Sequence, residues 1–220
     1  MKNAGPVRLA GLVGMFGAAL WVVALFVEYA YDLFSCEGAL CGVNQAMFLV
    51  AQLCYLAVIA GLMRVRAAGD GWPGRISLGL FFFGWAALAS ALLMSALGLP
   101  LPPELRVFDL LTLVGAVAST LGGFLAGIAV AAAGRLRGLW RLAPLIQGLY
   151  QLVAFLRVVL AGQEPTQLTE SLWAGTWFLM GLALFVSARK EGPTDASRRC
   201  GPRDGRAVGR TGPTCDNRGT

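Results

Sequence analysis

Histidine occurs nowhere in the chain. Its absence excludes bis-His haem, zinc sites built on imidazole, a Ser-His-Asp triad and any histidine proton relay. Charge is scarce as well, since only 14% of residues are Asp, Glu, Lys or Arg, against roughly a quarter in an ordinary soluble domain. No carboxylate falls at the middle of an apolar run, and no two share a helix face at i, i+4 within one. The paired carboxylates of a general acid–base enzyme are therefore not offered. The expectation is a protein that is not an enzyme and that holds no metal or cofactor.

The hydrophobic residues make up 57% of the 220, more than one globular core can enclose. They are gathered into long runs, each near the roughly 20 residues that span the hydrocarbon of a bilayer. Breaking the runs at charges and prolines predicts helices near 9–31, 44–63, 76–98, 109–133, 142–161 and 171–188. The fold expected is an all-α integral membrane protein, a six-helix transmembrane bundle over residues 1–189. Lys2 and Arg8 ahead of apolar residues have the outline of a secretory signal, but the run from Leu9 to Tyr31 is broken only by Glu28 and is too long for a signal core. It is kept as the first helix.

The connections alternate in charge. Those with Arg64, Arg66 and Arg75, and with Arg135, Arg137 and Arg141, are basic; those with Asp32 and Glu37, Glu104 and Asp109, and Glu164 and Glu170 are acidic. Cytoplasmic loops retain Lys and Arg, so the basic connections belong inside with Lys2, Arg8, Arg189 and Lys190. An even number of crossings follows, with both termini cytoplasmic; an odd number would put one basic cluster on the wrong side. The location expected is a plasma membrane of the bacterial inner-membrane kind. The net charge of +6 is then explained by orientation and anionic headgroups, and nucleic acid is not an expected partner. Membrane lipids, other membrane proteins or a second copy of the chain are.

From residue 190 to 220 the composition turns to Arg, Gly, Pro, Thr, Asp and Ser. Such a segment has too little apolar surface to offset the entropy of ordering, which predicts a disordered basic cytoplasmic tail. Its arginines at 198, 199, 203, 206 and 210 could lie along an anionic membrane surface or stay solvated. A weak internal similarity links Ala60-Gly61 with Ala126-Gly127, each followed by a basic loop with Trp72 and Arg75 or Trp140 and Arg141. It would suit repeated hairpins, and chance composition explains it equally.

Helices in lipid associate through close contact, which small residues at four-residue spacing permit. The predicted fourth helix carries Gly115, Ser119, Gly123, Gly127 and Ala131 in one such row, with Ala118, Gly122 and Ala126 beside it. It should be central, with Ala87, Ala91 and Ser95 of the third helix and Ala10, Gly14 and Ala18 of the first as partners; the same rows could serve a homodimer. Tyr29, Tyr31, Trp72, Trp140 and Trp173 stand near predicted boundaries and suit an interfacial aromatic belt.

Polar residues within the runs are the remaining candidates for chemistry. Gln147, Tyr150, Gln151, Ala154 and Arg157 fall within about a third of the circumference of the fifth helix. Polar groups in hydrocarbon turn inward, so the stripe should face the core near Gln52, Tyr55 and Asn44 of the second helix. It either lines a ligand cavity or makes interhelical hydrogen bonds, and the pattern leaves both open. Glu28 and Arg157 both lie toward the outer side, where an ion pair would relieve two expensive charges; snorkelling of Arg157 would do the same for one. Pro144 suits the first turn of the fifth helix. Cys54 reads as a small hydrophobe, Cys200 and Cys215 as reduced tail thiols, and Cys36 and Cys41 as a pair able to close a disulfide in an outer loop.

Three functions are compatible with these features. The first is a scaffold or accessory subunit that binds membrane proteins or lipids. The second is a small oligomeric transporter or channel for a polar or anionic solute, lined by the fifth-helix stripe. The third is a membrane thiol oxidoreductase using Cys36 and Cys41. A water-accessible cleft reaching Gln147 and Gln151 would favour transport, and a sealed stripe would favour a structural role.

Overall fold

The computed structural model describes residues 4–31, 39–97, 107–136, 138–163 and 165–189. Among them the regular structure is entirely helical. It comprises α1 (Ala4–Ala30), α2 (Ala39–Arg64), α3 (Trp72–Ala96), α4 (Val107–Ala133), a 3₁₀ turn (Gly138–Leu142), α5 (Ala143–Ala161) and α6 (Gln167–Arg189). All six long helices have the length and apolarity needed to cross a membrane. Their outward faces carry Phe26, Leu121, Leu125, Ile128, Leu149 and Val159 in exposed positions, as expected where hydrocarbon is the solvent. The basic tail beyond 189 lies outside the described residues.

Two boundaries differ instructively from the expected ones. α3 begins four residues before the predicted start, at Trp72, with Pro73 in its first turn. A proline there lacks only an N–H that would have no helical partner, so it opens a helix rather than ending one. Pro144 does the same for α5, as expected. α5 ends at Gly162, whose φ of 58° is left-handed, and its N–H reaches the Val158 carbonyl at 3.1 Å. Only glycine adopts that conformation without strain, and the reversal folds Gln163 back over the last turn. α6 starts on a reciprocal threonine cap: the Thr169 hydroxyl accepts from the Thr166 N–H at 2.8 Å, and the Thr166 hydroxyl accepts from the Thr169 N–H at 3.3 Å.

The helices form a closed ring in chain order. α1 packs on α2, α2 on α3, α3 on α4, α4 on α5, α5 on α6 and α6 back on α1, while α2 and α6 also touch across the centre. Small residues set the closeness of this ring. A Cβ at Gly127 would stand 2.6 Å from the Cα of Leu145 in α5. Gly115 presses on Leu88 of α3, and Gly123 lies against the ring of Phe81. Both rows of α4 therefore serve α3 and α5 within one chain. The first helix was expected to meet α4; instead its Gly11 faces α6 while Gly14 and Gly17 face α2. Cys54 is free and buried against Gly17, a small apolar filler. Gly61 packs toward Ala10 and Leu184, whereas Gly127 meets α5, so the internal similarity is not echoed in equivalent contacts.

At the end of the bundle carrying the arginines, Asp70 joins two connections. Its carboxylate accepts from Arg66 at 2.9 Å and also from Arg135, tying the α2–α3 turn to the end of α4. Hydrogen bonds from Arg135 and then Arg66 hold the Asp70 carboxyl below the ordinary aspartate range.

Candidate functional site

The opposite end of the bundle, formed by the C-terminal halves of α1, α3 and α5 and the N-terminal halves of α2, α4 and α6, contains a cavity of about 440 Å³. That volume lies within the range of small-molecule sites. Its construction begins with α5. The polar stripe divides along its length, and the two halves do different work.

The deeper half is sealed. Gln147 is wholly buried, donates to the Oε1 of Gln151 at 3.1 Å and accepts from the hydroxyl of Thr176 in α6. Gln151 in turn donates to the hydroxyl of Ser119 in α4 at 2.8 Å. A chain of side-chain hydrogen bonds thus joins α6, α5 and α4, as the low-polarity interior of a helical bundle requires. Ser119, expected as a packing residue, is both a close-contact residue and the end of this chain.

The other half is open. Tyr150, Gln151, Ala154 and Arg157 line the cavity, with Gln52 of α2 facing them. Tyr150 donates to the Thr169 carbonyl at 2.7 Å and so fastens α5 to the first turn of α6. Tyr55 is fully buried beside the cavity, its ring stacked on Trp177 with centroids 4.2 Å apart. Asn44 is buried but does not line the cavity.

The expected Glu28–Arg157 ion pair is not formed. Arg157 donates twice to the Oε1 of Gln163, at 3.2 Å from Nε and 2.7 Å from Nη2, and α6 stands between the helix bearing Glu28 and the helix bearing Arg157. The Gly162 reversal, which brings Gln163 over Arg157, supplies the arginine with a local acceptor that helical spacing alone does not reveal. Glu28 is half-buried near the end of α1.

Several residues of the site have no counterpart in the sequence expectations. Trp21, Trp85 and Trp173 form an aromatic wall: Trp85 stacks on Trp173 at 5.5 Å, and Trp21 meets Trp173 edge-on at 4.8 Å. Trp173 is thus an inward cavity residue rather than part of an interfacial belt, whereas Trp72 is exposed at the other end of the bundle as expected. Glu170, counted above only as a loop charge, lines the cavity from α6 beside the Trp21 indole, which stays short of hydrogen-bond geometry. One signal could have found them. Glu170, Trp173 and Trp177 recur at i, i+3 and i+7, one face of a helix, and Phe81 and Trp85 at i, i+4.

The Nε1 of Trp85 and the Oε1 of Gln52 are buried without a hydrogen-bond partner, as are the Tyr55 hydroxyl and the Trp177 Nε1 just beneath. Groups of this kind are normally satisfied by protein, water or ligand. Cys41 is not among the residues lining the cavity, and Cys36 lies outside the described residues, so their pairing stays an expectation.

An all-helical ring with six apolar helices of membrane-spanning length is the architecture of a multi-pass membrane protein. No family model, curated protein or solved structure matches this chain.

Proposed function

We propose that this protein is a membrane-embedded solute-binding protein of the transport class, which admits a small amphipathic solute to the cavity from the non-cytoplasmic side. The observation that carries the reading is the division of the α5 stripe, with Gln147 locked into interhelical hydrogen bonds and Gln151, Tyr150, Ala154 and Arg157 facing open volume. A stripe needed only for packing would be sealed along its whole length. Orientation follows from the arginine-rich connections, which belong to the cytoplasm and leave the cavity facing out. The Gln147 network and the Tyr55–Trp177 stack close the cavity below. Movement of a solute across the membrane then needs a second arrangement of the helices, as in alternating access.

A scaffold role through the small-residue rows has less support, because the glycines of α4 are occupied by α3 and α5. A thiol oxidoreductase would need its cysteines beside the cavity, and Cys41 does not line it.

Accessibility is the test. Ala154→Cys, in a background with the other cysteines replaced, should react with a membrane-impermeant maleimide applied to the outside of intact cells. Ala174→Cys, at a position 1% exposed, should not react. Equal protection of both positions from outside would overturn the proposal.

A further inference from the structure

Resting on the solute-binding reading, and deepening it, we infer that the cavity takes a zwitterion: a solute with an organic ammonium and a carboxylate or phosphate on one small, partly apolar body. Two charges of opposite sign line this one cavity without neutralising each other. Arg157 is held by Gln163, and no ion pair joins it to Glu170. Tyr150 lines the same cavity as both. Glu170 shares the cavity wall with the indole of Trp21. The partly exposed indoles of Trp21 and Trp173 in the cavity wall provide π surface against which an ammonium is held.

A purely cationic solute would leave the Arg157 guanidinium without a counter-charge in the cavity, and a purely anionic one would leave the Glu170 carboxylate without one; a zwitterion answers both. Depth orders the two charges: Glu170 is half-buried against the tryptophans, whereas Arg157 and Gln163 are exposed at the mouth. The ammonium enters first, and the anionic group stays under Arg157.

The probes share one aromatic body: phenylalanine as the zwitterion, phenethylamine as the cation, phenylacetate as the anion and phenylethanol as the neutral form. Glycerophosphoethanolamine represents a lipid headgroup. Binding is read by tryptophan fluorescence and thermal shift on the full chain in nanodiscs of phosphatidylcholine. At least one zwitterion should bind about tenfold or more tighter than the single-charge probes. Phenylalanine alone points to a free solute, and glycerophosphoethanolamine alone to a lipid headgroup. Glu170→Gln should abolish the advantage of zwitterion over anion, and Arg157→Gln the advantage of zwitterion over cation. Phenylethanol binding as tightly as the zwitterions, or no probe binding while Ala154→Cys still reacts from outside, would overturn the inference and leave the solute-binding reading standing. Protection of Ala154→Cys would instead sink that reading itself.

Discussion

At the end of the bundle that carries the arginines, Asp70 answers Arg66 and Arg135 at the surface, and the nearby recess against Leu139, Trp140, Ile146, Leu179 and Val186 is mostly apolar, with the Ser187 hydroxyl unpartnered. At the other end, Arg157 and Glu170 line one volume without pairing, and buried polar atoms around them lack partners. At the first end the carboxylate is paired with arginine, whereas at the second a carboxylate and an arginine line one volume unpaired. Unpaired charges around an aromatic cavity are what the proposed solute would answer.

This contrast can be broken first at its junction, the aromatic floor. Trp177→Ala should lower stability by about 3–5 kcal/mol, measured by thermal unfolding in detergent, while Trp72→Ala, at a position 77% exposed, should leave the midpoint nearly unchanged. Comparable losses at both positions would mean that the floor is no more tightly built than the periphery. Next in size is helix closeness. Gly127→Val, forced toward Leu145 at 2.6 Å, should cost about 1–3 kcal/mol, whereas Gly175→Val, with no atom within 4 Å of the new Cβ, should be silent. If the Gly127 variant unfolds at the wild-type temperature, α4 and α5 are not held by that contact.

The smallest effect belongs to the arginine clasp. Because the Asp70 carboxyl titrates below its ordinary value when folded, its stabilising contribution is present above the unfolded pKa and is lost as pH falls through the depressed folded one. The group is exposed, so solvent and salt screen it. Wild-type protein should therefore lose slightly more stability than Asp70→Asn as pH drops below about 4. Parallel pH curves for the two would show that the clasp contributes nothing.

Much of the fold could be read from residue order. Apolar runs gave six helices to within a few residues, and four-residue glycine spacing marked α4 as the crowded helix. The site was legible in part. The inward stripe on α5 follows from helical periodicity, yet its division into a sealed and an open half depends on Thr176 and Ser119, which belong to other helices. Trp173 was misplaced because closeness to a helix end is a one-dimensional cue, while facing inward or outward is settled by the neighbours. The Glu28–Arg157 pair failed for a similar reason: equal depth does not make two helices adjacent.

Residue order alone determined that hydrocarbon suits this chain, since a run of some twenty apolar residues can satisfy its backbone polar groups in lipid only as a helix. Its arginines likewise determined which connections belong together on one side. The order of the ring, the partners of Arg157 and the meeting of three tryptophans with Glu170 around one cavity were decided by tertiary structure. The physical reason is that local periodicity specifies which face of each helix is polar or small, whereas a site requires faces of different helices to be brought to the same depth, and only packing chooses which faces meet.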